Sequence, residues 1–385
     1  MKPLGASELA IDPAPVRRSA SAVCSVGSLS VALLRPAGLT PADRAHWAAL
    51  SACAAPGNIF AADWFMAPAI RHCARDWSLR LAVVREASGV WLGVLPLTQE
   101  AQIGRWPVPT FHSWKAANQF IGTPLVRAGA ERAFWQALLD HLDRHPGLVL
   151  GLCCDTLPLD DPAHLALVSL CAEQRRALHT CHSFTRPAQL ASPAPDPAAR
   201  RKLDKRLDTL ARKLAQAHGP VRLVRHDHPE DCEPWLAAFL ALERAGWKGR
   251  AASALACQAA TASLFRDVIR RSQRAGAARL VSLSAGEKIV AMSSWFVADG
   301  HGYGFKMAFD ESLRAFAPGR LLMREVAGIA QGEGLRLFDT CAAPDAPGDP
   351  LWPDRRAFAT QAVAIGGRAR QAVFDRLMRA RRLAR

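Results

Sequence analysis

Only one tyrosine, Tyr303, occurs among 385 residues, and aromatic side chains make up 7% of the chain. No run approaches eighteen apolar residues, so a transmembrane helix is not expected. Arg17-Arg18 is followed by a stretch broken by Ser25, Gly27, Ser28 and Ser30 and closed by Arg35, so it lacks the apolar core of an export signal. The ten cysteines show no paired spacing, which excludes a disulfide framework and fits reduced, mostly buried thiols in a cytoplasmic protein. His179-Thr180-Cys181-His182 has no second ligand pair, so no metal is expected. A G-x-S-x-G elbow is absent too, and no Cys–His spacing supports a covalent nucleophile.

Half of the residues are apolar and 22% are charged, a globular composition long enough for two domains. The net charge of +15 is carried mainly by arginine, and its sign favours polyanions. Basic residues concentrate in Arg200–Lys213 and in 368–385, where seven arginines meet one acid, Asp375. Leu203, Leu207, Leu210 and Leu214 share one helical stripe of the first run, which reads either as a solvated helix packed by its leucines or as a partner-binding arm. Neither run has interleaved aromatic residues on which bases could stack, so only weak, non-specific polyanion binding is expected.

Element order divides the chain. Residues 1–27 read as a disordered tail and 28–185 as a first half. A Pro-rich linker at 186–199, a second half at 200–367 and a basic tail at 368–385 complete the division. In the first half, Thr40-Pro41-Ala42-Asp43 starts a helix, and Leu79–Arg85 and Val90–Leu97 form a hairpin. Helix Glu131–His145 then leads to a buried strand at Leu148–Cys153. The second half repeats that order, with helix Gly319–Gly332 leading to strand Leu335–Thr340.

The stretch Arg279–Cys341 reads as three antiparallel strands turned at Gly286 and Gly300, then Ala317-Pro318-Gly319-Arg320 opening an amphipathic helix. Backbone N–H groups at that helix start, with Arg320 and Leu321 beside them, form a candidate anion cradle. Ordinary helix capping accounts for the same residues.

With Glu243-Arg244-Ala245-Gly246-Trp247-Lys248-Gly249, Phe305–Asp310, Ala317-Pro318-Gly319 and Leu337-Phe338-Asp339-Thr340 in this order, the chain resembles GNAT-superfamily acyltransferases of the CelD/FemAB-like type. The resemblance covers roughly 200–367 firmly. It implies an α+β fold (an α/β sandwich) of tandem GNAT-like halves, each a mixed, mainly antiparallel sheet flanked by helices. It also implies direct transfer of an acyl group from acetyl-CoA or another acyl-CoA to an amine or hydroxyl of a small-molecule, glycan or peptide acceptor, in envelope or exopolysaccharide metabolism. The cradle has one glycine where typical members have two or three, and FemAB-like relatives use aminoacyl-tRNA instead. A non-catalytic anion-binding module is the remaining reading.

Direct attack needs a base and oxyanion support. Glu243, beside Trp247, is the first candidate base, or else a surface helix-end acid. Lys306 falls on the strand face of Gly304 and Ala308, opposite Tyr303, Phe305 and Met307. Tyr303 is a candidate proton donor, and Asp310 and Asp339 end strands at one sheet edge. Trp247, Lys248 and Asp310 would meet the acceptor. Ala317, Pro318, Gly319, Arg320 and Leu321 would meet the cofactor. Loop Ala342–Pro353 is expected to cover the cleft, with Trp352, Arg355 and Arg356 closing it.

Overall fold

The computed structural model describes residues 28–54, 58–75, 78–190 and 197–383. The expected tail at 1–27 and the middle of the expected linker lie outside the described residues. The first half holds strands β1 (Ser30–Leu34), β2 (Arg80–Arg85), β3 (Trp91–Glu100), β4 (Thr110–Ser113), β5 (Leu125–Val126), β6 (Gly151–Pro158) and β7 (Leu178–Leu190). Its helices are α1 (Pro41–Cys53), α2 (Asp63–Cys73), α3 (Glu131–Arg144) and α4 (Pro162–Glu173). The second half holds β8 (Val221–Arg225), β9 (Ala278–Ala285), β10 (Lys288–Ala298), β11 (His301–Phe309), β12 (Leu337–Asp339) and β13 (Asp354–Ala364). With it come α5 (Pro197–His218), α6 (Cys232–Ala245), α7 (Trp247–Arg250), α8 (Ala259–Arg274), α9 (Pro318–Gly332) and α10 (Arg368–Leu383).

All strands join one sheet in the order β1-β2-β3-β4-β6-β13-β7-β12-β11-β10-β9-β8, with β5 paired to β3 off this path. Reading inward from either edge gives the same plan: an antiparallel run, then a strand that follows a helix and lies parallel to its neighbour, β6 on β4 and β12 on β11. The halves then exchange their last strands, β7 pairing with β12 and β13 with β6. Strand alternation gives the sheet two apolar faces. One is covered by α1, α2, α6 and α8, with Trp47, Phe65, Phe239 and Phe265 buried against it. The other is covered by α3 and α4 over the first half and by α5 and α9 over the second. The result is a helix–sheet–helix sandwich.

Local chemistry explains the elements that match expectation. Thr40 and Asp43 form a reciprocal capping box at α1. Leu207 and Leu214 are buried under α5, so the leucine stripe packs on the sheet and the basic face is left to solvent.

Several expectations change. Residues Arg186–Leu190 are strand rather than linker, because their backbone bonds are completed by β12 and β13. The basic tail is helix α10, whose Phe374 and Met378 are buried against β7 and β13. The strand expected from Leu148 begins at Gly151, and Leu148 itself is 89% exposed.

Candidate active site

Strands β11 and β12 pair only from His301↔Leu337 to Tyr303↔Asp339. Beyond Tyr303 they part, and that edge of β11 has no ladder partner among the described residues. Gly304 sits at the fork, where a β-carbon would lie 2.4 Å from the Thr340 carbonyl oxygen, so no larger residue fits. The opening forms a cavity of about 300 Å³ walled by Lys306 and Met307 of β11, Val326 of α9, Phe338 of β12, and Asp349 and Trp352 of the following loop. Trp352 stacks on Phe338 with ring centroids 4.6 Å apart. The loop therefore covers the cleft as expected. Arg355 is turned away, bonding the Thr185 hydroxyl and the Ala346 carbonyl.

A bulge decides what β11 presents. Against β10, Ser294 faces Lys306 while Trp295 faces Gly304, so Phe305 is the extra residue. The bulge resets the alternation, placing Tyr303, Phe305 and Ala308 in one core and Phe309 against the α9 core. Lys306 does not lie opposite Phe305, as simple alternation requires. Its ammonium lies 5.5 Å from the Phe305 ring and 5.4 Å from that of Phe120, and it donates to Asn118 Oδ1 at 2.7 Å. Asn118 and Phe120 belong to the first half, so both halves build this position. Burial, reinforced by the Lys248 charge, pushes Lys306 down to about 8.

On the helix side of β11 a second cavity of about 190 Å³ is lined by Glu243, Trp247, Lys248 and Met307, among others. Glu243 is buried, not a surface acid. Its Oε1 accepts from Lys248 Nζ at 2.9 Å and its Oε2 from the Leu255 N–H at 2.8 Å. Lys248 also reaches toward the Met307 carbonyl at 3.5 Å. Trp247 remains 54% exposed at the mouth. Met307 borders both cavities, so the bulged strand separates two compartments that adjoin at Met307.

Four of the expected site residues, Glu243, Trp247, Lys248 and Lys306, are thus gathered here. Others are not. Asp339 is fully buried and accepts from Arg186 twice, at 2.6 Å each, from Arg356 at 3.1 Å and from the Cys341 N–H at 2.9 Å. Burial alone would raise its pKa, but the two guanidiniums outweigh burial and hold the carboxyl below its usual range. Such a carboxylate is a structural counter-ion and a poor base. Tyr303 is wholly buried beside Phe60 and lines neither cavity at β11, and burial pushes its phenol above the ordinary range. Asp310 caps the turn after β11 through the Ser312 N–H and pairs with Lys288 at 2.5 Å, and it lines neither cavity.

The cradle is thinner than expected. Ala317 has a left-handed backbone with φ of 51°, and its carbonyl accepts from the Arg320 and Leu321 N–H groups. Pro318 has no N–H, which leaves Gly319 as the first-turn donor. Gly319 is itself buried, and a β-carbon there would meet the Phe309 ring at 3.1 Å. It is a packing glycine first. The Arg320 fork is held by both oxygens of Asp349. Sequence reasoning missed Asn118, Arg186 and Asp349; only their partners across the fold mark them out.

Among the described residues, no group of three or more His, Cys, Asp or Glu could hold a metal ion, and no helix is long and apolar enough to cross a membrane. His179 instead pairs with Asp375 at 2.9 Å.

With the forked strands and the flanking helix α9 in place, the comparisons fall into line. Residues 201–347 match the acetyltransferase (GNAT) domain family. That match, over this span of the second half, supports an acyltransferase. The fold is similar to the crystal structure of FemX, with a TM-score of 0.52 and 11% identity over 86% of this chain and 98% of that one. It is also similar to a conserved protein of unknown function from Bacteroides thetaiotaomicron VPI-5482, with a TM-score of 0.50 and 12% identity over 85% and 98% of the two chains. A tandem GNAT protein from the clavulanic acid biosynthesis pathway aligns with a TM-score of 0.40 and 16% identity over 88% and 99%. These likenesses are of fold alone. No curated protein matches the chain in sequence.

Proposed function

We propose that the protein transfers an acyl group from acyl-CoA to an amine or hydroxyl acceptor at the fork of β11 and β12. The observation that carries this reading is the cavity at the fork, bounded by Lys306, whose amine is partly neutral near pH 8. The thioester enters from the α9 side and the acceptor from the Glu243–Trp247–Lys248 side. The acceptor atom attacks the thioester carbonyl, its proton passes to the neutral Lys306 amine, and the tetrahedral oxyanion collapses to expel the CoA thiolate, which takes the proton back. Asn118 Oδ1 accepts a hydrogen bond from Lys306, which leaves the lone pair of the neutral amine for the incoming proton. Glu243 holds Lys248 in place, and Lys248 attracts an acidic group on the acceptor. The CelD/FemAB-like resemblance supports a cytoplasmic reaction within envelope or exopolysaccharide metabolism.

One observation favours a second donor. Arg320 is occupied by Asp349 and the first turn of α9 offers little to a pyrophosphate, so aminoacyl-tRNA, the donor implied by the FemAB-like resemblance, is the alternative. Native mass spectrometry of protein purified from cells tests the choice. Bound CoA species support the first reading. Absence of CoA, together with tRNA-dependent transfer, replaces it with the second.

A further inference from the structure

Five arginines border one cavity that shares no lining residue with the two at β11. A cavity of about 630 Å³ between α1, α2, the start of β2 and the end of α8 is lined by Arg35, Arg44, Arg71, Arg80 and Arg271, with Asp63 as the single acid among its described lining residues. Some arginines elsewhere reach carboxylates, as Arg176 reaches Asp143, Arg186 reaches Asp339 and Arg270 reaches Glu233, while solvated ones such as Arg212 reach none among the described residues. Here Arg35, Arg44, Arg71 and Arg271 have no ion pair among the described residues. Arg71 and Arg271 sit in the last turns of α2 and α8, where the helix dipole favours a cation. That accounts for two of them. It does nothing for Arg35 and Arg44, which come from other elements and line the same cavity, Arg44 donating one hydrogen bond to the Leu39 carbonyl at 3.4 Å. The floor is apolar, made by Leu39, Trp47, Pro68 and Leu79.

We infer that this cavity binds an organic phosphate, with the phosphate on the arginine forks and an apolar body on the floor. Several unpaired guanidiniums around one opening repel one another and call for more than a single negative charge, which a phosphate supplies and a lone carboxylate does not. The apolar floor distinguishes the ligand from inorganic phosphate. Arg271 belongs to the second half and the other four arginines to the first, so the ligand bridges the two halves along the α2–α8 contact. This site is independent of the acyl-transfer reading, because none of its residues lines either cavity at β11.

Isothermal titration with n-octyl phosphate, inorganic phosphate and phosphatidylglycerol vesicles tests it. The variants are Arg71→Gln, Arg271→Gln and, as a charge-matched control, Arg212→Gln on the exposed face of α5. Octyl phosphate is expected to bind more tightly than inorganic phosphate. Arg71→Gln and Arg271→Gln should each weaken it by about tenfold or more, the scale of one lost charge-assisted hydrogen bond, while Arg212→Gln leaves it unchanged. Vesicle binding weakened in the same two variants assigns the phosphate to a lipid headgroup, and vesicle binding indifferent to them assigns it to a soluble compound. Failure of octyl phosphate to bind, or equal weakening by Arg212→Gln, overturns the proposal. Each variant's thermal unfolding, followed by circular dichroism, confirms that it is folded.

Discussion

Arg186 and Asp339, 153 positions apart in the chain, meet through two hydrogen bonds of 2.6 Å in the interior, where neither is more than 2% exposed. Arg186 lies on β7 and Asp339 on β12, the pair of strands through which the first half completes the second. The guanidinium also stacks on Phe358 of β13 at 4.1 Å, so three strands from both halves converge on one ion cluster.

Asp339→Asn should therefore destabilise the fold by about 3–5 kcal/mol, the usual scale for breaking a buried pair, because Arg186 is left without its counter-charge. Urea unfolding measures it. The folded carboxyl titrates below its unfolded value, so its contribution is fully present above about pH 4 and is lost as pH falls through the lower folded value. The Asn variant should lack that portion of the acid-induced loss. A variant as stable as the parent protein would show that the cluster is not structural.

Lys306→Met should lower kcat by ~10²-fold, the scale for losing a general base. The parent enzyme should gain activity as pH rises through about 8, since the reactive form is the neutral amine. Asn118→Ala should shift that apparent pKa with little change in stability. A pH–rate profile flat from 6 to 9 would remove Lys306 from the role.

Gly319→Ala should cost about 1–3 kcal/mol through crowding against Phe309, as overpacking does, and Gly319→Glu should cost more while disturbing the fold. A cleaner probe of the cradle is Asp349→Ala, which frees Arg320. If acyl-CoA is the donor, CoA affinity measured by calorimetry should rise by up to about fivefold, the scale of one exposed ion pair. Unchanged affinity would exclude Arg320 from phosphate binding.

Binding of α5 and α10 to RNA should be weak and should vanish near physiological salt as counterions are released. Both helices commit an apolar face to the sheet, through Leu207 and Leu214 in one and Phe374 and Met378 in the other. Filter binding against tRNA at rising salt measures it. Tight, tRNA-selective retention would favour the aminoacyl-tRNA reading.

Local signals set the elements of the second half. The turns at Gly286 and Gly300, the leucines of α5 and the Pro318-Gly319 start of α9 act within a few residues, so they are legible one after another, and with them came Glu243, Lys248 and Lys306. The repeat of helix-then-strand in each half was legible for the same reason. The strand exchange was not, since the end of β7 from Arg186 to Leu190 reads as part of a Pro-rich connector until β12 and β13 supply its hydrogen bonds. Nor was the bulge at Phe305, which depends on register with β10 and sets where Lys306 points. Asp339 carries the same carboxylate whether it is a base or a buried counter-ion. Arg186 and Arg356 decide between the two, and only the folded chain brings them within reach.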